Sequence, residues 1–171
     1  MLDRLLQTNS RRNASCRIVG SGLFWVDSFV AGGALVEGPE IVQHGGYYYL
    51  FFAAGKYCQD SYSEGVARSR SVFGPYEKLG VPLLSTAMVG YAQVSPDSAA
   101  ASQEEGHEEV DTGASAAKLI GPGHASFVQD MTSKQWFAVY HASRGENCNR
   151  YSFIDRLDFG DDGWPRMNFT V

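Results

Sequence analysis

The residue best placed to do chemistry in this sequence is Glu37, which lies in the heptapeptide VEGPEIV at positions 36–42. A glutamate that opens a β-strand and is fixed by a following glycine and proline can project from the strand end into a cavity. Partial burial or a neighbouring negative charge there favours the protonated carboxyl group. Such a group can donate a proton to a leaving oxygen. Taken alone, however, the residue is more often a solvent-exposed loop carboxylate.

Four further side chains need an interpretation beside Glu37. Glu40 is three positions along, and strand alternation would send it to a different face of the sheet, so we interpret it as structural. His124 follows a glycine and precedes small residues, so its imidazole could reach a cavity, although a lone histidine is more often a hydrogen-bonding residue than a metal ligand. His141 ends an aromatic strand and is interpreted as structural, and Arg150 could be a surface ion-pair partner.

Metal-binding patterns are weak in this sequence. The acidic cluster at positions 104–109 is interpreted as a solvated charge run, and no spacing of Asp, Glu and His predicts a protein-built metal site. The three cysteines, Cys16, Cys58 and Cys148, form no CxxC pair, which argues against zinc and against a complete disulfide framework. We expect ordinary thiols, with one disulfide pair left open.

Composition narrows the class of partner. Of the 171 residues, 44% are hydrophobic and 13% aromatic, enough for a globular core, and the net charge of −5 disfavours nucleic acid and anionic membranes. The longest apolar stretches, such as Tyr47 to Ala54, are far shorter than the ~20 residues of a membrane helix. Residues 1–21 show no secretory signal, while acceptor patterns at Asn13 and Asn168 would suit an extracellular protein, so the location stays open.

The elements that must position Glu37 are short β-strands. The pattern predicts a hairpin made of residues 40–43 and 47–52, joined by a His-Gly-Gly turn. A third strand follows at residues 63–70, where small and larger side chains alternate, and residues 76–79 could supply a fourth. Glu37 therefore sits at the start of the first strand of a four-stranded unit.

Two segments lie outside this pattern. Residues 1–34 are poorly defined, with residues 23–30 the best strand candidate, whereas the domain proper is predicted over residues 35–171. Within that domain, residues 87–118 are rich in Ser, Ala, Glu, Gly and Asp, which predicts a disordered or loosely tethered insert.

The chain contains an internal repeat. The strand-turn-strand pattern of the first hairpin recurs at residues 123–128 and 136–141. A second unit is completed by residues 151–157 and 161–165. Val42 and Val128 lie 86 positions apart, and removal of the 32-residue insert leaves 54, close to the ~50 residues of a kelch-type propeller blade. The sequence therefore predicts an all-β fold with about two blades of a β-propeller. Two blades cannot close a ring, so the chain is part of a longer protein, assembles with copies of itself, or is marginally stable.

Many aromatic residues lie in the predicted strands. They could stack on sugars, but alternating aromatics in propeller strands usually pack between blades, so we expect most of them in the core. Trp164 lies in a turn and is either an exposed stacking residue or a plug between blades. The strand aromatics are Tyr47, Tyr48, Tyr49, Phe51, Phe52 and Trp136.

Three sequence segments occur in an order that is specific, although each segment alone would be a weak signal. They are VEGPEIV (36–42) with residues 46–52, GVARSRS (65–71) with GPY (74–76), and GPGH (121–124) with YHA (140–142) and DGWP (162–165). In this combination the chain resembles glycoside hydrolase family 43, the five-bladed propellers that include α-L-arabinofuranosidases, β-xylosidases and arabinanases. The match runs from about residue 35 to 168 apart from the insert.

The resemblance implies roles for three residues. Glu37 corresponds to the general acid, His124 to a histidine at the propeller centre that in some members approaches a bound cation, often calcium, and Arg150 to an arginine of the sugar subsite. It requires no cofactor, leaves room for a calcium ion held mainly through water, and implies a pentose-containing glycan as the partner. The sequence itself supplies no protein ligand set for that ion.

The family's general base and a second aspartate come from blades that precede the acid. Only Asp3 and Asp27 precede Glu37, and neither opens a strand as the base does, so no base is predicted. We therefore expect an inverting glycoside hydrolase acting on arabinose- or xylose-containing glycans, incomplete as given. The alternative is a catalytically inactive propeller fragment that binds carbohydrate or protein.

Overall fold

The computed structural model describes residues 18–19, 35–89, 119–144 and 148–169. In these residues the chain is almost entirely β-structure, as the sequence predicts. Asp3, Asp27, the candidate strand at 23–30 and nearly all of segment 1–34 lie outside the described residues, as do positions 90–118 of the predicted insert. The elements are β1 (Ile18–Val19), β2 (Leu35–His44), β3 (Tyr47–Gly55), β4 (Ser63–Ser69), β5 (Tyr76–Lys78), β6 (Leu84–Ser85), α1 (Thr86–Val89), β7 (Leu119–Gln129), β8 (Trp136–Arg144), β9 (Arg150–Phe159) and β10 (Pro165–Asn168).

The strands form two sheets, each built on an antiparallel meander of four strands. The first sheet has the order β1-β5-β4-β3-β2, with β1 parallel to β5 and β6 paired to β4, and the second has the order β10-β9-β8-β7. Each meander is one propeller blade, and the predicted two-blade repeat is confirmed. Positions 87–89 of the predicted insert belong to α1, where Val89 is buried. Among the described residues, no helix has the length and hydropathy of a membrane span.

The first hairpin depends on two glycines. Gly45 and Gly46 connect β2 to β3 with φ angles of 55° and 80°, and His44 pairs directly with Tyr47. A two-residue hairpin turn with two positive φ angles matches the right-handed twist of the strands, and glycine adopts it without steric strain. The turn therefore fixes the register of β2 against β3, in which Glu37 pairs with Ala53 near the other end of the hairpin.

The two sheets pack through the alternating aromatic side chains of β3. Phe51 is fully buried and stacks on Phe127 of the second sheet with 3.8 Å between the ring centroids. On the opposite face, Phe52 is buried against Tyr76 of its own sheet. Packing of this kind is worth about 0.5–1.5 kcal/mol per aromatic pair beyond the area buried. The prediction that most of these aromatics belong to the core is confirmed.

Trp164 acts as a plug between the sheets. The guanidinium of Arg68, on the first sheet, lies over the Trp164 ring at 4.0 Å and donates a hydrogen bond to the Asp162 carbonyl at 2.8 Å. The hydroxyl of Tyr49 also donates to the carbonyl of Gly163 in the same turn. The turn between β9 and β10 is therefore fixed on the first sheet.

A disulfide bond joins the two sheets. Cys58, in the loop after β3, is bonded to Cys148, just before β9, with 5.2 Å between the Cα atoms and a sequence separation of 90. The expectation of ordinary thiols is thus wrong for two of the three cysteines, and the one pair left open is present. Sequence spacing could not reveal it because the partners come together only when the sheets pack.

Replacing both bonded cysteines with serine is expected to lower the free energy of unfolding by about 2–4 kcal/mol, since a disulfide that closes a long loop restricts the unfolded chain. Urea unfolding followed by circular dichroism measures the change. The matched control is Cys16→Ser, which removes a thiol without removing this bond. Equal stability of the double variant and this control would contradict the prediction.

Candidate active site

A bulge in β2 sets the direction of Glu37. The register shifts between Glu37, paired with Ala53, and Glu40, paired with Phe51, and Gly38 within the bulge has a φ of 58°. Three steps along β2 therefore match two along β3, which places both glutamates on the same face of the sheet. The expectation that Glu40 points to a different face is wrong, because strict alternation does not hold across the additional bulge residue.

The second sheet repeats this irregularity in β7. Register shifts occur between Ile120 and Gly123 and between Gly123 and Ser126, and both Gly121 and His124 have positive φ, at 59° and 52°. A positive φ is uncommon for a histidine and changes the direction of its side chain relative to a regular strand. The imidazole of His124 consequently faces β2.

The two bulges bring Glu37 and His124 together. Nδ1 of His124 lies 3.8 Å from Oε1 of Glu37, and the two side chains are 48% and 32% exposed, so a ligand can reach both. The imidazole lies against Gly38: a Cβ atom at that position would be 2.8 Å from Cδ2 of His124. Any side chain at position 38 would displace the imidazole, which explains glycine after Glu37.

Glu40 connects the two sheets. Its carboxylate accepts hydrogen bonds from the Ser126 hydroxyl at 2.8 Å and from the Phe127 amide at 3.1 Å. Both donors belong to β7, so the carboxylate holds the neighbouring edge strands side by side. This arrangement supports the structural interpretation of Glu40, although the sequence did not predict that Glu40 bonds to the second sheet.

Tyr62, which was not predicted as a site residue, contacts Glu37 directly. Its hydroxyl donates a hydrogen bond to Oε1 of Glu37 at 2.8 Å, and its ring is buried. Burial, followed by the hydrogen bond to Glu37, raises the pKa of Tyr62, so the phenol keeps its proton as a donor. The sequence signal that could have indicated Tyr62 is its position immediately before the predicted strand at residues 63–70.

His141 and Arg150 complete the cluster. His141 stacks on Tyr62 with 5.6 Å between centroids and lies 6.1 Å from His124. Burial lowers the pKa of His141, and the electrostatic effects of Arg150 and His124 lower it further against the opposing effect of Glu37, so the neutral imidazole is favoured. Neither of its ring nitrogens has a hydrogen-bond partner in the described part of the chain. Arg150, the first residue of β9, also lies over the Tyr57 ring at 5.4 Å.

This cluster lies at one end of the blade pair and combines one reachable carboxyl group, a fixed hydroxyl donor and basic side chains. Such a set can donate a proton and hold hydroxyl groups of a ligand. Within the described ranges, no three His, Cys, Asp or Glu side chains come together as a metal site. His124 alone therefore does not form a protein-built cage for calcium.

Two adjacent four-stranded sheets, with a carboxyl-bearing bulge where their edge strands meet, give the chain the architecture of two blades of a β-propeller. The chain belongs to glycosyl hydrolases family 43, whose sequence profile matches residues 12–165. The family resemblance stated from the three segments is confirmed.

Characterised relatives are much longer than this chain. The non-reducing end alpha-L-arabinofuranosidase BoGH43B of Bacteroides ovatus is 29% identical over 157 residues, which cover 88% of this chain and 23% of the relative. The xylan beta-1,4-xylosidase of Bacillus halodurans C-125 is 25% identical with a TM-score of 0.55, over 78% of this chain and 22% of that one. A thermostable family-43 glycoside hydrolase is 27% identical with a TM-score of 0.59, over 88% and 40% respectively.

Proposed function

We propose that this chain supplies the proton-donating part of an inverting glycosidase that hydrolyses arabinose- or xylose-containing glycans. The observation that carries the proposal is the placement of Glu37, reachable by a ligand, bonded to Tyr62 and beside His124. Family membership supports a carbohydrate substrate, and the names of the relatives support these two sugars.

The proton of Glu37 has a defined location in this geometry. Because Oε1 accepts the Tyr62 hydroxyl, the acidic proton would be carried by Oε2, which would face the leaving group. Donation from Oε2 to the glycosidic oxygen would break the bond to the anomeric carbon while a water molecule attacks from the opposite face. His124 and Arg150 would hold sugar hydroxyls during this step.

The attacking water needs a second carboxylate. Inversion places this general base about 6.5–9.5 Å from the acid, on the other side of the sugar. We propose that the base comes from chain outside the described residues, as the family resemblance implies for the blades that precede the acid. Calcium, if it binds, would be held near His124 mainly by water.

Hydrolysis by the complete gene product tests this proposal. The substrates are 4-nitrophenyl α-L-arabinofuranoside and β-D-xyloside, together with oligosaccharides of each sugar, and proton NMR of the first product formed reports inversion at the anomeric carbon. Release of arabinose or xylose with inversion is expected. Retention of configuration, or failure to cleave any of these substrates, would overturn the proposal.

The alternative function is a catalytically inactive propeller fragment that binds carbohydrate or protein. It is motivated by the general base, for which the sequence offers only Asp3 and Asp27 before Glu37, neither of them at a strand start. Calorimetric titration with arabino- and xylo-oligosaccharides would then give heat of binding without any sugar release.

Tyr62→Phe is expected to lower kcat for these substrates by about 2–10-fold, the equivalent of one hydrogen bond between uncharged groups, with a smaller change in KM. The ring would remain while the bond that orients Glu37 is lost. Steady-state kinetics of the complete gene product measures the effect. Tyr57→Phe is the control, because that ring touches Arg150 through its face and not its hydroxyl. Equal kcat values for the two variants would contradict the role given to Tyr62.

A further inference from the structure

Glu64 is a buried carboxyl group that the proposed reaction does not use. It lies on β4 with none of its surface exposed, opposite Ala53, which in turn pairs with Glu37. Glu37 and Glu64 thus occupy the same cross-strand row, one at the reachable edge and the other inside. Glutamate is almost never fully buried without a partner, so the contacts of Glu64 call for an explanation.

The partner of Glu64 is the backbone of the second sheet. Oε2 accepts a hydrogen bond from the Ala125 amide at 3.2 Å, while Oε1 has no hydrogen-bond partner among the residues described. The titratable groups that face it are Glu40 and Tyr62. Burial raises the pKa of Glu64 to about 8, against the lowering effect of the Ala125 and His124 amides. The side chain is therefore largely uncharged near neutral pH.

The accepting oxygen lies directly under the β7 bulge. Ala125 immediately follows His124, the residue with the positive φ, so its amide marks the end of the bulge. A Cβ atom at Gly123 would be 3.5 Å from Oε2 of Glu64 and 2.8 Å from Tyr62. The bulge therefore lies close to this part of the first sheet on both sides of His124: a side chain at Gly123 would clash with Tyr62, and Ala125 donates a hydrogen bond to Glu64.

We propose that Glu64 is a positioning residue that holds the β7 bulge and thereby keeps the imidazole of His124 against Gly38 and beside Glu37. Without an acceptor at this point, the Ala125 amide would be buried and unpaired, and the bulge would relax toward a regular strand. The geometric claim is independent of turnover, whereas its consequence for catalysis rests on the proposed function.

The test uses two substitutions of similar volume. Glu64→Gln keeps an oxygen for the Ala125 amide and resembles the uncharged acid, whereas Glu64→Leu removes the acceptor. NMR spectra of the labelled chain report the cross-peak between the imidazole Hδ2 of His124 and the α-protons of Gly38, and amide exchange reports protection at Ala125. We expect the leucine variant to lose the cross-peak and at least about tenfold of the protection, equivalent to one hydrogen bond, and the glutamine variant to retain both.

The control is Thr86→Val, which removes a different buried bond to β7, from the Gly121 amide at 2.9 Å. It should reduce protection at Gly121 and leave the His124–Gly38 cross-peak intact. A folded leucine variant that keeps the cross-peak would overturn the proposal. If that variant does not fold, the wild-type protein decides: a scalar coupling between the Ala125 nitrogen and the Glu64 carboxyl carbon supports the proposal, and rapid exchange of the Ala125 amide overturns it.

Catalysis gives a separate readout. In the complete gene product, Glu64→Leu should lower kcat by a larger factor than it changes KM. Glu64→Gln should keep most of the wild-type kcat. Absence of hydrolysis in the wild type would count against the proposed function alone, because the NMR measurements need no turnover.

Discussion

Replacing Glu37 with glutamine is expected to lower kcat of the complete gene product by about 10²–10⁴-fold, the usual contribution of a positioned general acid. Glutamine keeps the size and the oxygen that accepts the Tyr62 hydroxyl, but it cannot supply the proton from the Oε2 position. The loss should be greatest for oligosaccharides, whose sugar leaving groups need protonation, and smallest for aryl glycosides with activated phenols. Steady-state kinetics on both substrate types measures this difference.

The matched control is Glu40→Gln, which removes a carboxylate from the same strand and the same face. Its two hydrogen bonds go to Ser126 and Phe127 of β7, and an amide oxygen can keep one of them. We expect a modest loss of stability and kcat within a few-fold of wild type. Undiminished activity of the Glu37 variant, or equal losses in both variants, would remove Glu37 from the mechanism.

The second large effect is on stability and comes from Glu64. Its pKa is raised by burial from 4.5 to about 8 in the folded chain, so the folded state holds a proton that the unfolded state releases. The stabilisation that this proton provides is complete below about pH 4.5 and is lost as the pH rises through about 8. Over that window the free energy of unfolding should fall by about 1.4 kcal/mol per pH unit from this one group.

Urea unfolding of the wild type and of Glu64→Gln between pH 5 and pH 9 measures the slope. The two proteins should be similar near pH 5, and the glutamine variant should be several kcal/mol more stable at pH 9. The lowered pKa of His141 adds stability that is lost below about pH 6.5, in both proteins alike, so it cancels in the difference. Parallel pH profiles for the two proteins would contradict the assignment.

Much of the fold could be predicted from local sequence patterns. The His-Gly-Gly turn and the aromatic alternation of β3 specify a hairpin, and the recurrence of the pattern after Gly123 specifies a second blade. These signals are local because turn geometry and side-chain alternation depend on residues within one strand or one connection.

The site was predicted less completely, for physical reasons. Glu37, His124 and Arg150 were predicted as site residues, and the structure places all three at one end of the blade pair. Tyr62 and Glu64 were missed because their importance lies in contacts with another strand, which no spacing along the chain encodes. The face of Glu40 was predicted wrongly because a bulge adds a residue that the period of two does not count.

The bond between Cys58 and Cys148 also has a topological consequence. It closes the backbone from Cys58 to Cys148 into a covalent ring that contains β4 to β8, while β2 and β3 precede the ring and β9 and β10 follow it. Each blade therefore has two of its four meander strands inside the ring and two outside it. A single cut in the backbone between these cysteines would leave one covalent molecule, and neither blade could be carried away from the other while the bond remains.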